Sequence, residues 1–531
     1  MHGRIGRRAF LHGAGCAACA ASLGWHLPRA GAAETRAFER LDKRERLRLA
    51  DLAMDMAKRA GASHADLRIC RYRWQELNAR DGRLDKNDSG VSLGFGLRVL
   101  IDGAWGFAGA MIVDEAEIGR AVQSASANAA AMRRLGAQRV ELETLDAHRA
   151  DWTMPTRRDP FDVPEAEKIG HLLAVDAAAR KAGASYTSVW CDAVREEKFF
   201  ANTAGSRIDQ TRTRIAPGFY ITAVDKQSGK FDGVNSLASP RSAGWDYVES
   251  LNMAAAAEEA AGQAREKLVA QSVAPGKYDL VIDATNLWLT LHESAGHSTE
   301  LDRALGWEAN YAGTSFVTPD KRGVLKYGSE LMTVTADRTR DEGLSTVAYD
   351  DDGVKTAGAE FAIIKNGVFQ NYQMAIGQAH LIGEKRSNGC AYADGPMAFP
   401  LQRMPNISLA ANDKPTSRDD LIGGVENGIL ILGTGSWSID QQRHNFQFSG
   451  QLFYEIKNGK RGRMLRDVAY QSETTAFWNA MDGLGDRTTY HLGGTFSCGK
   501  GEPGQSAPVS HGCVAARFRG VDVLNTERSD I

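Results

Sequence analysis

The sequence predicts an α+β protein of two domains, an N-terminal α/β domain with helices on a β-sheet and a β-rich C-terminal domain. The first half alternates helix-like and strand-like patterns, whereas the second half carries almost only strand-like ones. An Ala-Pro-Gly breaker at 274–276 separates the two halves. A chain of 531 residues is long enough for two or more domains. We therefore place the N-terminal domain at 36–273 and the C-terminal domain at 277–531.

Helices with terminal signals are expected in the first half. Asp42 with Glu45 begins the first helix, Asp114 begins the second and Pro164 begins the third. A fourth, rich in alanine, is expected at 247–270. Strands are predicted at 65–71, 74–80, 187–192, 197–202 and 215–224, with a hairpin at 90–108. The first and third helices both end in Ala-Gly-Ala-Ser, which suggests a helix–strand–strand unit used twice.

The second half begins with a buried strand at 278–283 and a helix at 284–297, and then becomes β-rich. Strands are predicted at 330–336, 360–364, 368–374, 428–433, 446–456 and 464–468. Two Asn-Gly pairs, at 366–367 and 458–459, mark turns between strands. The main late helix is expected near 474–480.

Composition excludes two classes of protein. Hydrophobic residues make up 43% of the chain and charged residues 24%, as in an ordinary globular protein. The formal net charge is −2, and no basic block stands beyond the N-terminus, so we expect no nucleic-acid partner. No apolar run reaches the length of a membrane-spanning helix, so we expect no membrane span.

The first 33 residues indicate a signal peptide of the twin-arginine type. Arg7 and Arg8 precede Phe-Leu, a weakly apolar run follows, and small residues at 30–32 suit cleavage. We therefore expect export to the periplasm, or a cytoplasmic protein if the signal is not used. Five cysteines remain beyond this segment, and an odd number in an exported protein indicates a thiol with another role. The sequence leaves open whether Cys70, Cys191, Cys390 and Cys513 form disulfides.

The central motif is His-Glu-Ser-Ala-Gly-His, from His292 to His297. Two imidazoles beside a carboxylate, Glu293, are what a catalytic zinc site needs. The spacing is one residue longer than in His-Glu-x-x-His, so the two imidazoles stand about 140° apart on an ideal helix. They can meet at one metal if the helix widens as a π-bulge or bends at Gly296. Otherwise Glu293 and His297 form the facing pair, or both histidines simply bond to nearby backbone or carboxylates.

A second informative segment surrounds Cys498. Glycines flank it, which suits a tight loop that brings a thiolate close to a metal. Two imidazoles and one thiolate would leave a fourth position open, as in catalytic rather than structural zinc sites. The alternative is a small, buried, apolar cysteine.

These two segments together resemble the TldD/PmbA peptidases. The resemblance rests on 292–297, on Cys-Gly-Lys at 498–500 and on 504–509, with support from 351–353, 366–367 and 403–406. It implies a zinc metallopeptidase in which His292, His297 and Cys498 bind Zn2+ and Glu293 is the general base. It also implies peptide or unfolded-protein substrates and a dimer, with a second copy or with a PmbA-like chain. Only the TldD branch keeps His-Glu-x-x-x-His, so the chain is similar to that branch.

Four further residues near the two segments invite interpretation. Glu300 and Asp302 either orient a histidine through its second ring nitrogen or form a solvated helix end. His511 and Cys513 are either an alternative ligand pair or, as we expect, residues on the solvent side.

Two other functions are compatible with the sequence. One is a non-catalytic, peptide-binding subunit of a TldD/PmbA-like complex. The other is an exported metal amidase acting on cell-wall peptides, which the signal peptide would suit. For the peptidase, we expect an extended peptide to bind along a strand edge of the β-rich half.

Overall fold

The structure is a computed structural model that describes residues 41–501 and 503–527. The predicted signal peptide lies outside the described residues. The helices are α1 (Lys43–Arg59), α2 (Glu115–Arg134), α3 (Glu165–Lys181), α4 (Trp245–Ser250), α5 (Met253–Val269), α6 (Ala284–Thr290), α7 (Leu301–Ala304), α8 (Arg418–Gly423) and α9 (Thr474–Asn479). No helix of the described part is long and apolar enough to cross a membrane.

The strands of the first half are β1 (His64–Arg80), β2 (Arg83–Ile101), β3 (Ala104–Ala110), β4 (Arg149–Thr153), β5 (Tyr186–Asn202), β6 (Arg207–Val224) and β7 (Phe231–Asn235). They form one sheet of order β3-β2-β1-β5-β6, in which β4 and β7 both pair with β6. Helix α2 packs on β2 and β3, and α3 packs on β5 and α5. This half is therefore an α/β layer built on one largely antiparallel sheet, and the predicted fold class is confirmed.

The repeated Ala-Gly-Ala-Ser segments link two copies of one arrangement. Helices α1 and α3 are each 17 residues long, and after a four-residue link each leads into a strand of 17 residues. The glycines of the two links have φ angles of 86° and 93°, a region that glycine enters without steric cost. The first strands of the two copies, β1 and β5, pair antiparallel in the middle of the sheet.

Three predicted boundaries in this half are wrong. The strands predicted at 65–71 and 74–80 are one strand, because Tyr72 and Arg73 continue the antiparallel register with β5. The strands predicted at 187–192 and 197–202 are likewise one strand, β5, whose residues 193–196 stay paired with β1. The single alanine-rich helix is two helices, because Leu251 is extended. The side chain of Asn252 then caps α5 by accepting a hydrogen bond from the amide of Ala255 at 3.4 Å.

The strands of the second half are β8 (Gln271–Ser272), β9 (Gly276–Ile282), β10 (Val334–Asp337), β11 (Ala362–Lys365), β12 (Val368–Phe369), β13 (Ala391–Tyr392), β14 (Leu401–Gln402), β15 (Asn406–Leu409), β16 (Asn427–Ile439), β17 (Asn445–Lys457), β18 (Lys460–Arg466), β19 (Val468–Glu473), β20 (Met481–Leu484), β21 (His491–Lys500), β22 (Gln505–Cys513) and β23 (Ala516–Asn525). Eight of them form one sheet, and six form another of order β12-β11-β10-β15-β22-β21. Helix α6 packs against β16 of the larger sheet and against β21 and β22 of the smaller one. The two sheets thus hold the segment that follows α6 in the buried interior.

The strand predicted at 368–374 ends early, at Phe369. The chain beyond it turns towards the segment after α6, where the amide of Gln373 donates to the carbonyl of Thr299 at 3.0 Å. The strand predicted at 330–336 begins late, at Val334, because a turn closed between Ser329 and Met332 precedes it. The first difference depends on a contact that is distant in sequence, and the second depends on a turn. Neither can be recognised from the alternation of residues in a strand.

Candidate metal centre

The two histidines of the central motif meet because the helix widens between them. Helix α6 ends at Thr290, and Leu291–Gly296 is one turn of π-helix. The amide of His297 bonds to the carbonyl of His292, five residues back, which is the π pattern. The two imidazole rings stand 4.6 Å apart between centroids. The structure thus has the π-bulge that the sequence analysis considered. The facing pair is His292 with His297, and not Glu293 with His297.

Cys498 approaches this pair from β21. Its Sγ lies 3.7 Å from Nε2 of His297, and one ligand atom from each of His292, His297 and Cys498 lies within 4.8 Å of the others. All three side chains are 4% exposed. Zinc–sulfur and zinc–nitrogen bonds of about 2.3 and 2.0–2.1 Å, meeting at a tetrahedral angle, separate the two atoms by about 3.6 Å. The donor set and its spacing therefore fit a zinc ion.

Each histidine is held through its Nδ1 atom. In His297, Nδ1 lies 3.0 Å from Oε2 of Glu300, and in His292, Nδ1 lies 2.6 Å from Nε2 of His511. This leaves Nε2 of each ring as the atom available to a metal. Glu300 thus has the orienting position considered for it from sequence.

Asp302, the other acidic residue considered, contacts no histidine. Its carboxylate accepts from Nζ of Lys500 at 2.9 Å, and Lys500 also lies 3.3 Å from Glu300. Glu300 is fully buried and Asp302 is 4% exposed, so neither forms a solvated helix end.

The expectation that His511 and Cys513 lie on the solvent side is wrong. Both are fully buried, because β22 is paired on both sides, with β15 and β21. His511 contacts His292 and stacks parallel to the ring of Trp288, whereas Cys513 belongs to the hydrophobic core. Neither joins the three-ligand cluster found among the described residues. Ser510 and Gly512, on either side of His511, are buried too, so no alternation of buried and exposed residues marks this strand in the sequence.

Sequence reasoning missed Arg443. Its Nη1 donates to Oε2 of Glu293 at 2.8 Å, and its Nη2 donates to the carbonyl of Ala312 at 3.2 Å. It lies between β16 and β17 with a φ of 64°, in the left-handed region. An arginine in a loop 150 residues from Glu293 carries no sequence signal for this contact.

Burial sets the charge of the candidate ligands. It lowers the pKa of His292, and it lowers that of His297 well below the usual value, with help from the guanidinium of Arg303. Both rings are therefore neutral near pH 7, as metal binding requires. Burial also raises the pKa of the Cys498 thiol, against the opposing charge of Arg403. Metal binding would therefore release the thiol proton.

The orienting carboxylate stays ionised. Burial alone would raise the pKa of Glu300, but Lys500 and Arg303 outweigh it and hold that pKa well below the usual range. An ionised Glu300 accepts a hydrogen bond from the N–H of Nδ1 in His297, which fixes the tautomer of that ring.

None of the five cysteines of the described part is in a disulfide. All are buried, namely Cys70, Cys191, Cys390, Cys498 and Cys513. Only Cys498 lies at the cluster.

Three domain models of one metallopeptidase family match the chain. Residues 65–129 match PmbA/TldA metallopeptidase domain 1, residues 158–268 the central domain and residues 275–524 the C-terminal domain of that family. A protein named metalloprotease from Methanothermobacter thermautotrophicus is 29% identical over 90% of this chain and 98% of its own length. A protein named zinc metalloprotease TldD homolog, from Saccharolobus solfataricus, is 24% identical over 80% of this chain and 89% of its own.

Solved structures share the fold at low identity. A Thermotoga maritima protein superposes with a TM-score of 0.71 at 17% identity, covering 90% of this chain and 100% of that one. TldE from Thermococcus kodakarensis superposes with a TM-score of 0.70 at 14% identity, covering 90% and 99%. The three domain matches together span most of the chain, which belongs to the PmbA/TldD family of metallopeptidases.

Proposed function

We propose that this protein is a zinc-dependent peptidase of the TldD branch that hydrolyses peptides or unfolded polypeptides. His292, His297 and Cys498 hold the zinc ion, and Glu293 is the general base. The observation that carries the proposal is the convergence of three buried ligand atoms within 4.8 Å, directly beside a carboxylate. The printed names of the relatives, metalloprotease and zinc metalloprotease, support it.

The chain's own groups divide the work of hydrolysis. A zinc ion held by the three ligands would supply Lewis acidity towards the scissile carbonyl and would make water more acidic. Glu293 takes the proton of the attacking water and returns it to the leaving amine. Arg443 holds Oε2 of Glu293, so Oε1 is the oxygen to which we assign proton transfer. His511 and Glu300 keep the two imidazoles in position.

The substrate would bind as an extended strand. The six-stranded sheet ends on one side in β21, the strand that carries Cys498. A peptide that pairs with this edge through main-chain hydrogen bonds would pass directly in front of the ligands. Main-chain hydrogen bonds do not depend on the side chains of the substrate, so this mode of binding suits peptides of varied sequence.

A non-catalytic, peptide-binding role is the second candidate. The guanidinium of Arg443 bonds directly to the carboxylate of Glu293, so one oxygen of the assigned base is already occupied. In that role the same three residues would hold a metal with no turnover.

Glu293→Gln separates the two roles. We expect this variant to keep its zinc, measured by atomic absorption, and to lose about 10²–10⁴-fold in cleavage of an unfolded polypeptide. Cys498→Ser should lose zinc and activity together. Glu330→Gln, the same change at an exposed residue, is the matched control and should behave as wild type. Undiminished cleavage by zinc-loaded Glu293→Gln would overturn the assignment of the base.

The proposed function also includes where the protein acts and how many chains it contains. We propose export through the twin-arginine route, supported by Arg7 and Arg8, and a dimer with a second copy or a PmbA-like chain. Replacing both arginines by lysine should keep the protein out of the periplasmic fraction. Light scattering on the purified protein, alone and with a PmbA-like partner, should give the mass of a dimer.

A further inference from the structure

A cavity of about 410 Å³ lies beside the metal centre. Its walls include four aromatic rings, Trp105, Trp307, Tyr311 and Phe399, together with Glu308 and Gln402. Its volume is within the range of cavities that bind small molecules. Trp307 and Tyr311 are half exposed, so one wall opens to solvent.

Two sets of contacts join this cavity to the metal centre. The side chain of Gln402 accepts from Nζ of Lys500 at 2.6 Å, and Lys500 is two residues from Cys498 on β21. Residues two apart on a strand share a face and lie about 7 Å apart. On the other wall, Arg303 and Arg443 both donate to the carbonyl of Ala312, at the end of the loop that carries Trp307 and Tyr311. These contacts make the cavity wall a neighbour of the metal centre, as a subsite next to the scissile bond requires.

Three carboxylates line the described part of the cavity, and only that of Glu308 has no ion-pair partner among the described residues. Asp302, which also lines it, is paired with Lys500, and Asp352 is paired with Arg98. Glu308 is 8% exposed, and its carboxylate accepts a hydrogen bond from the amide of Gly501 at 3.3 Å. Among the described residues no cation forms an ion pair with it. A buried carboxylate without a cation costs free energy that a positively charged ligand would recover.

Arg98, the one guanidinium among the described residues of the lining, does not offset this charge. It bonds to both Asp66 and Asp352, at 2.7 and 2.6 Å, so its own charge is compensated twice. It also lies 4.6 Å from the ring of Trp105 and 5.2 Å from that of Phe399, so these aromatic faces already accept one cation.

Gln402 supplies a free donor in the same wall. It is 2% exposed, and among the residues that the structure describes its Nε2 has no hydrogen-bond partner. A buried amide donor without an acceptor is costly, and a peptide carbonyl would satisfy it. An unpaired donor, an unpaired carboxylate and aromatic faces together match a peptide residue with a cationic side chain.

We propose that this cavity is a substrate subsite for an arginine or lysine side chain next to the scissile bond, with Glu308 as its charge partner. This specificity rests on the proposed peptidase function. Aromatic rings hold the aliphatic stem and the flat face of the cation, and Glu308 binds its charged end. Gln402 donates to a main-chain carbonyl of the same substrate.

Arginine and its uncharged isostere citrulline provide the test. Quenched fluorescent peptides carry either residue at each position around the scissile bond in an alanine background, and kcat/KM is measured for each. At one position we expect arginine to exceed citrulline by about tenfold. Glu308→Gln should abolish that ratio by lowering kcat/KM for the arginine peptide. Glu330→Gln should keep the ratio. Equal ratios in wild type and Glu308→Gln would overturn the proposal.

A second pair of variants tests the aromatic wall. Trp307→Ala should lower kcat/KM for the arginine peptide severalfold. Trp437→Ala removes an equally exposed indole, 51% against 50%, from outside the cavity and should leave it unchanged. Equal effects of the two variants would exclude Trp307 from the subsite.

Binding separates this proposal from the peptidase assignment. Fluorescence anisotropy on zinc-loaded Glu293→Gln should give about tenfold tighter binding of the arginine peptide than of the citrulline peptide. If wild type cleaves neither peptide but this discrimination remains and vanishes with the further change Glu308→Gln, the subsite stands and the peptidase assignment fails. If wild type cleaves both peptides without discrimination, the subsite alone fails.

Discussion

The Nδ1 atom of His292 lies 2.6 Å from the Nε2 atom of His511. Burial lowers the pKa of both rings, so each is neutral and carries a single proton. One nitrogen of the pair must donate and the other must accept. Nε2 of His292 keeps a lone pair for a metal only when Nδ1 of that ring is the donor. The tautomer of His292 that can bind zinc is therefore the one in which Nε2 of His511 accepts its hydrogen bond.

His511→Phe should weaken zinc binding about 10–100-fold, because such outer partners typically contribute that much. Phenylalanine keeps a flat ring against Trp288, which stacks on His511 at an interplanar angle of 8°. Competition with a chromophoric chelator measures the affinity. His380→Phe, at an exposed position, is the control. Equal zinc affinity in the two variants would show that His511 does not orient His292.

The sequence pointed to His292, His297, Glu293 and Cys498 because each stands in a short segment of distinctive composition. It could not choose between a π-turn and an ideal helix, because that choice depends on distant packing. A Cβ on Gly296 would lie 2.5 Å from the sulfur of Met404. The π-turn is thus stabilised by contacts more than 70 residues away, such as the bond from Gln373 to the carbonyl of Gly296 at 2.7 Å.

The residues that contact the metal ligands and the assigned base could not be predicted from sequence, because their contacts also join distant parts of the chain. Arg443 and His511 contact the motif across 150 and 219 residues of chain, and neither has a local pattern that indicates its partner. The fold class was accessible because helix and strand periodicities are local. Strand order was not, since pairs such as β15 with β22 join segments about 100 residues apart.

Arg443→Met should lower kcat about 10–100-fold with zinc content unchanged. The guanidinium holds one oxygen of Glu293 at 2.8 Å, and small misplacements of a catalytic group have effects of this size. Arg443→Lys should restore part of the activity, since a lysine can still pair with the carboxylate. Steady-state kinetics on one peptide, beside metal analysis, provides the measurement. Loss of zinc in parallel with activity would indicate a structural role instead.

Acid should destabilise the protein partly through His491. Burial and the charge of Arg241 lower the pKa of this residue to about 4, against about 6.5 for an unfolded chain. Protonation therefore favours the unfolded state, so the stabilisation present above about pH 6.5 is lost as the pH falls towards 4. The loss is at most about 1.4 kcal/mol per pH unit.

His491→Gln keeps a hydrogen-bonding group for Ser239, whose hydroxyl lies 2.9 Å from Nε2 of the histidine. The thermal midpoint of wild type should fall more than that of this variant between pH 7 and pH 5, with chelator in both samples. His380→Gln, at an exposed histidine, should follow wild type. Parallel midpoint curves for wild type and His491→Gln would exclude this residue as an acid-sensitive group.

The placement of β21 against α6 depends on the lack of a side chain at Gly493. A Cβ at this position would lie 2.1 Å from the ring of Trp288, so the ring would have to move in a variant with a side chain there. Gly493→Ala should therefore destabilise the protein by about 1–3 kcal/mol. It should also weaken zinc binding, because Trp288 stacks on His511 and β21 carries Cys498. Gly499→Ala is the matched control on the same strand, since its Cβ would meet no atom within 4 Å. Thermal denaturation and zinc titration of the two variants give the comparison, and equal stability and affinity would show that β21 is positioned by other contacts.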